Sequence, residues 1–307
     1  MIIKSFRWII RYVSILLTIA AVVVLGIYLA LRFYVLPNIH QYKDEIATRI
    51  SNVAQQKITI GDIRATWDNV NPILAVSQIT VYDAEHRPAL GFEHIIATLS
   101  WKSLSSLQPR LTNLSILSPQ LVIRRETNGD IFVAGIPLSG KSNPDLANWL
   151  LRQGQINIKD ASVIWNDDFR KAPPLSLNKL DFRIDRPLLS RLTGRHEFSL
   201  HALPSLGTTH PIEINGQFYG NDVSKTASWH GDIHAKLVDA DLSVWKQWLD
   251  YPFDLQSGFG SANLSLHFDD NRVDKMQSDV VLSNVSSRLK QQPKLITLNR
   301  LTGELSL

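Results

Sequence analysis

Cysteine is absent from the 307 residues, methionine occurs twice, and residues 1–36 contain no acidic side chain. Without cysteine there are no disulfides, thiol nucleophiles or thiolate metal sites. An exported region of some 270 residues must then rely on its own apolar packing, which is feasible at that size. No G-x-S-x-G, P-loop, G-x-G-x-x-G or H-E-x-x-H pattern occurs. No catalytic residue, metal ligand or cofactor is therefore expected. Four of the 32 basic residues and none of the 28 acidic ones fall in residues 1–36, leaving 28 of each beyond. The pI of 9.2 thus belongs to the N-terminus, and the balanced remainder argues against nucleic acid as a partner, which requires a basic face.

What is present is a run without charge from Tyr12 to Leu31, YVSILLTIAAVVVLGIYLAL. Twenty residues at about 1.5 Å each span about 30 Å, the hydrocarbon thickness of a bilayer. Twelve of them are Val, Ile or Leu, favouring insertion by about −6 kcal/mol at roughly −0.5 kcal/mol each. The run is too long for the apolar part of a cleaved signal peptide and lacks its small-x-small site. Tyr12, Leu16, Val23, Ile27 and Leu31 are read as the membrane anchor. Lys4, Arg7 and Arg11 precede it, whereas only Arg32 follows closely. The positive-inside rule then leaves residues 1–11 in the cytoplasm and exports the chain from Pro37 onward.

Residues 37–56 predict an amphipathic helix, with Ile39, Tyr42, Ile46, Ile50 and Val53 spaced 3, 4, 4 and 3. Such a stripe caps the following sheet, or lies on the outer-leaflet surface of the anchoring membrane, or does both. From Lys57 to Leu307 short alternating runs recur between Gly, Pro, Asn and Asp, among them 58–67, 75–82, 95–101, 113–125, 156–165 and 212–220. Two are clean. Leu180, Phe182 and Ile184 alternate with Asp181, Arg183 and Asp185; Ala262, Leu264, Leu266 and Phe268 alternate with Asn263, Ser265, His267 and Asp269. A period of two with one polar face marks half-buried antiparallel strands, and 268–273 reads as a hairpin turn. Some fourteen strands at about 4.8 Å give roughly 65 Å of sheet. Short helices are expected at 143–154, capped by Asn143, and at 241–252, capped by Asp241, with turns at 102–107 and 187–192. Ile60, Asp62, Trp67 and Asp68 recur as Ile158, Asp160, Trp165 and Asn166, a faint echo 98 residues apart.

Apparent chemistry has plainer readings. His230 and His234 lie about 13 Å apart on a strand and do not share a metal. His196 and His201 point to opposite faces. The pairs Asp167–Asp168 and Asp181–Asp185 read as solvated faces rather than paired catalytic carboxylates. Trp67 and Trp101 are the tryptophans expected near the membrane interface.

The anchor is followed by Leu-Pro-x-Ile-x-x-Tyr (Leu36–Tyr42), I-x-I-G-x-I-x-A-x-W (Ile58–Trp67), Pro72–Asp83 and S-P-x-L-x-I-x-R (Ser118–Arg125). In that order these motifs resemble the N-terminus of the AsmA-like proteins of Gram-negative bacteria, nearest the YhdP type. The resemblance covers residues 1–300 and rests on strand and turn patterns rather than catalytic signatures. It implies a mainly β fold: an N-terminal transmembrane helix, then an elongated, twisted antiparallel sheet curled into an open apolar groove with a few short amphipathic helices. It further implies a bacterial inner-membrane location, a periplasmic bulk, and phospholipid moving between inner and outer membranes in support of the outer permeability barrier. Candidate groove-lining residues are Ile156, Ile158, Leu180, Phe182, Ile184, Phe198, Leu200, Ala262, Leu264, Leu266 and Phe268. Such proteins are several times longer, and Leu307 falls inside an alternating run, so this sequence is read as the N-terminal part of a longer chain. From alternation alone, the more common outcome is that the apolar faces close on one another as a sandwich or barrel core, and it is the resemblance that favours the open groove. The alternative function is a tethered scaffold that contacts envelope proteins through its sheet edges.

Overall fold

The computed structural model describes residues 2–54, 56–82, 88–106, 108–133, 136–137, 144–187, 193–248, 254–270, 272–288 and 295–306. The first element is helix α1 (Ile2–Ala30), which continues as one π-helical turn over Leu31–Val35. The helix reaches ten residues further toward the N-terminus than the apolar run requires. Tyr12, Leu16 and Val23 are exposed along it, and Arg11–Val35 is long and apolar enough to cross a membrane. A 3-10 turn (Ile39–Tyr42) leads into α2 (Lys43–Ala54), with Asp44 and Glu45 in its first turn, where negative charge complements the helix dipole.

Fifteen strands form one sheet: β1 (Ile58–Asp68), β2 (Asn71–Tyr82), β3 (Pro88–Leu99), β4 (Leu111–Leu117), β5 (Gln120–Arg125), β6 (Ile131–Val133), β7 (Ile136–Pro137), β8 (Gln155–Asp167), β9 (Ala172–Asp185), β10 (Arg195–Pro204), β11 (Ile212–Tyr219), β12 (His230–Asp241), β13 (Asp254–Asp269), β14 (Arg272–Arg288) and β15 (Leu295–Ser306). The main path runs β1-β2-β3-β4-β8-β9-β10-β11-β12-β13-β14-β15, and β1 does not pair with β15, so the curled sheet stays open. With β5, β6 and β7 off that path, its eleven steps give about 53 Å rather than 65 Å.

The run 113–125, expected as a single strand, is two. Ser118 takes φ +46° and Pro119 follows, so β4 pairs with Ile156–Lys159 and β5 with Ser162–Asp167, both parallel to β8. The connection through β6, β7 and α4 (Pro144–Leu151) supplies the length a parallel crossover needs. The remaining neighbours are antiparallel. The segments of the faint repeat are β1 and β8, but the ladder aligns Ile63 rather than Ile60 with Ile158.

Strict alternation would carry side chains to the wrong face if any strand gained one residue. Among the described residues five interior strand positions take positive φ without being glycine, Gln78, Asp160, Lys179, Asp239 and Asn284, and Ser118 does so at the break between β4 and β5. At most of them the apolar pattern makes a step of three. Leu74 and Val76 resume at Ile79 and Val81; Ile156 and Ile158 resume at Ala161 and Val163; Leu175 and Leu177 resume at Leu180, Phe182 and Ile184. The positions neighbour one another across strands: the Ser118 N–H donates to the Lys159 carbonyl (2.8 Å) and the Asp160 N–H to the Asp181 carboxylate (2.8 Å). This polar seam bends successive strands in the same place while keeping the apolar side chains on one face.

The helices pack as local plugs. From the expected stripe Ile39 and Ile46 turn inward onto Ile60, Ile63 and Ile79, joined by Ala47 from outside the stripe, whereas Tyr42 and Ile50 stay exposed; the Val53 side chain lies outside the described residues. Trp149 and Leu150 of α4 pack on Leu111, Leu114 and Ile156, and Trp149 Nε1 donates to the Pro109 carbonyl (3.0 Å). Asn143 and most of 187–192 lie outside the described residues. Asp241 caps α5 (Leu242–Trp245) through the Ser243 N–H (2.9 Å), and Trp245 and Trp248 are buried against Leu175 and Ala240. The described helix is shorter than 241–252.

Candidate apolar groove

The ladder registers place the candidate lining residues relative to one another. On one row, Ile63 pairs with Val76, Val76 with Ile95, Ile95 with Ile116, and Ile116 with Ile158. The same row continues from Ile158 to Phe182, Leu200, Ile214, Ala235, Leu264 and Ser278. A second row runs Ala65, Leu74, Ala97, Leu114, Ile156, Ile184, Phe198, Gly216, Ile233, Leu266 and Met276. Directly paired residues share a face, and their Cβ atoms sit about 4.5–5.5 Å apart. Leu180, opposite Ala161, and Ala262, opposite Leu237, belong to the next row; Phe268 pairs with Gly231 beyond. All eleven candidates therefore lie on one face.

Gly216 is required in its row. A Cβ there would come within 2.2 Å of the Asp232 carbonyl and 3.0 Å of the Phe198 ring, which covers the position. Beyond this row His196, Phe218 and Trp229 form a stack with centroids 4.8 and 5.1 Å apart.

Burial separates an open face from a closed core. Of the eleven, only Leu180 is buried, at 8% exposure; the other ten are half-buried. Most of the buried apolar residues fall into four clusters, at α2, at β8–β10 with β5, at α5 and at α4, with Leu36, Leu255 and Val285 buried outside them. Among the described residues no second sheet covers the face between these plugs. The opposite face carries polar groups in pairs: Arg183 with Asp185, Gln217 with Asp232 (3.1 Å), and Asp232 with His267 Nδ1 (2.8 Å).

One end of the sheet meets the apolar helix. The Tyr28 ring lies 5.5 Å from Trp67 and 6.0 Å from Trp101, and Arg32 sits over Trp67 at 5.2 Å and donates to the Tyr28 hydroxyl (2.6 Å). Trp101 Nε1 donates to the Val70 carbonyl (3.1 Å) at the tip of the β1–β2 hairpin. Both tryptophans singled out in the sequence therefore contact the end of the anchor.

A family model described as YhdP protein matches residues 1–307, the whole chain. The chain belongs to the YhdP family. No curated protein and no solved structure matches it. In this YhdP-family sheet two buried titratable groups, Asp167 and His196, are held by neighbouring residues. Among the described residues no three His, Asp or Glu side chains gather as a metal site. Asp167, expected on a solvated face, is instead 3% exposed and forms a two-pronged pair with Arg125, whose guanidinium also lies 4.9 Å from the Phe169 ring. Burial works to raise the Asp167 pKa, but the Arg125 hydrogen bonds and the Arg170 N–H outweigh it and hold the carboxyl below its ordinary value. His196 is buried beside two carbonyl oxygens, Gly194 at Nδ1 and Leu151 at Nε2, each 2.9 Å away. Burial lowers its pKa and the Arg186 charge adds to that, against the pull of the two carbonyls. Sequence patterns missed Asp167 and Arg125 as a buried pair because β5 and β8 come together only through the parallel crossover.

Proposed function

We propose that this YhdP-family chain is a membrane-anchored periplasmic lipid-transfer protein whose apolar face carries phospholipid acyl chains away from the inner membrane, supporting the outer-membrane barrier. The N-terminus is cytoplasmic, with Lys4, Arg7 and Arg11 on that side of the span. The observation that carries this reading is the apolar ladder from Ala65 to Met276, half-buried apart from Ala97 and Leu114 under α4 and bridged at Gly216 by the Phe198 ring, on a sheet that does not close. An acyl chain needs a continuous apolar surface, whereas the periplasm needs a polar one, and the two faces supply both. Tyr28, Trp67 and Trp101 set the start of the ladder at the bilayer interface, where aromatic rings partition.

The test is Leu264→Asp, which places a carboxylate in the middle of the first row. A charge in an acyl-chain environment costs about 3 kcal/mol. Lipid transfer and outer-membrane resistance to detergents should therefore fall at least about tenfold while the far-ultraviolet β signal is kept. Transfer unchanged in a folded variant would favour the scaffold reading, and outright unfolding would indicate a closed core.

A further inference from the structure

A second feature at the anchored end is not part of the ladder. A cleft of about 780 Å³ opens where β3 and β9 end and β4 and β8 begin, and Lys102, Arg110, Arg152 and Arg186 line it with no acidic residue among its lining. The exported region has equal numbers of acidic and basic residues, so composition alone does not produce this cluster. Its cations come from four places: the start of α3 (Lys102–Ser106), the approach to β4, the end of α4 and the end of β9. The backbone beneath them is braced. Gly154 donates to the Leu111 carbonyl (3.0 Å), Arg186 N–H to the Gly154 carbonyl (2.8 Å), and Arg110 Nη1 to the Arg152 carbonyl (3.3 Å). Gln153, 2% exposed, accepts from the Leu111 N–H (2.8 Å). A Cβ on Gly154 would lie 2.6 Å from the Thr112 carbonyl, so glycine permits this close approach.

Two neighbours of the cleft select its ligand. Leu111 lines it and belongs to the cluster of Ala97 and Leu114 that packs on Ile156, a groove residue. Trp101, adjacent to Lys102, is 6.0 Å from Tyr28 of the anchor, which sets the cleft at the membrane interface. A cationic cleft at that depth, next to the apolar ladder, suits an amphiphile with an anionic phosphate. We infer that the cleft binds the phosphodiester headgroup of an anionic membrane phospholipid, whose acyl chains run past the α4 plug to the half-buried ladder at Ile156. This rests on the groove reading proposed above. Lys102, Arg110, Arg152 and Arg186 supply charge and N–H donors to the phosphate oxygens.

The test uses the full chain in detergent, with short-chain phosphatidylglycerol, short-chain phosphatidylcholine and inorganic phosphate as calorimetric probes. Lys102→Gln with Arg152→Gln, both exposed positions, should weaken phosphatidylglycerol binding about thirtyfold, at roughly 1 kcal/mol per cation near a charged surface. Arg110→Gln alone should weaken it in the same direction. Phosphatidylcholine should bind more weakly than phosphatidylglycerol to the wild type and lose less in the variants. Unchanged affinity in folded variants overturns the headgroup site; inorganic phosphate binding as tightly as the lipid makes it a free-anion site and overturns the lipid assignment. A photoreactive residue at Phe182 separates this from failure of the groove itself. Lipid adducts in wild type and variant alike, with unchanged headgroup preference, defeat the cleft alone. Their absence from the wild type defeats the groove and the route from cleft to ladder.

Discussion

Tyr28, inside the apolar helix, places its ring 6.0 Å from that of Trp101, which opens the connection from β3 to β4. Trp67, near the end of β1, lies 5.5 Å from the same ring, so the anchor meets two separate strand ends. The chain has no cysteine, so introduced thiols report cleanly. Tyr28→Cys paired with Trp101→Cys should be joined by a short thiol crosslinker in membranes, giving an intramolecular product on a denaturing gel. A pair that never crosslinks would mean that helix and sheet do not hold this contact.

Arg125 and Asp167 bind across β5 and β8 where the off-path strands join the main sheet. Removing one partner strands a buried charge, which costs about 3–5 kcal/mol. Arg125→Met should lower the urea midpoint strongly, and Arg125→Met with Asp167→Leu should recover much of the loss. A single variant as stable as the wild type would show the pair to be solvated.

His196 has an acceptor facing each ring nitrogen, yet a neutral imidazole donates from only one. Its lowered pKa means that, below the ordinary value of about 6.5, the unfolded ring takes up a proton more readily than the folded one. His196 therefore contributes stability above that pH, and the contribution is lost as pH falls toward the folded value. Stability should decline from pH 7 to pH 5, and the ring's NMR titration midpoint should lie below 6.5. A midpoint at or above that value would show that the two carbonyls outweigh burial.

Asn284 sits at φ +52° in the middle of β14. Valine there should cost about 1–2 kcal/mol because its branched Cβ resists the left-handed region, whereas glycine should be tolerated. Thermal midpoints of the two variants measure the difference. Equal midpoints would mean that the strand straightens at no cost.

The anchor and the strands were legible because each follows a local rule, a charge-free run or a period of two. Leu180, Phe182 and Ile184 could be assigned to one face from alternation alone. The seam was not legible: Lys179 looks like any outward polar residue, and only its backbone shows why Leu177 and Leu180 share a face. The same holds for the break at Ser118, which was hidden inside a continuous apolar run. The cationic cleft escaped notice because Lys102, Arg110, Arg152 and Arg186 are isolated in sequence and meet only where the ends of four elements come together. Asp167 was misjudged because burial at a strand end depends on β5, which arrives by a parallel crossover.

The most direct measurement is a photocrosslinking scan along β9 in cells, one photoreactive residue at a time from Asp181 to Ile184. Phospholipid adducts should form at Phe182 and Ile184 and be absent at Asp181 and Arg183, repeating with the period of the strand. Adducts at neither Phe182 nor Ile184, or equally at all four, would contradict a lipid-carrying face.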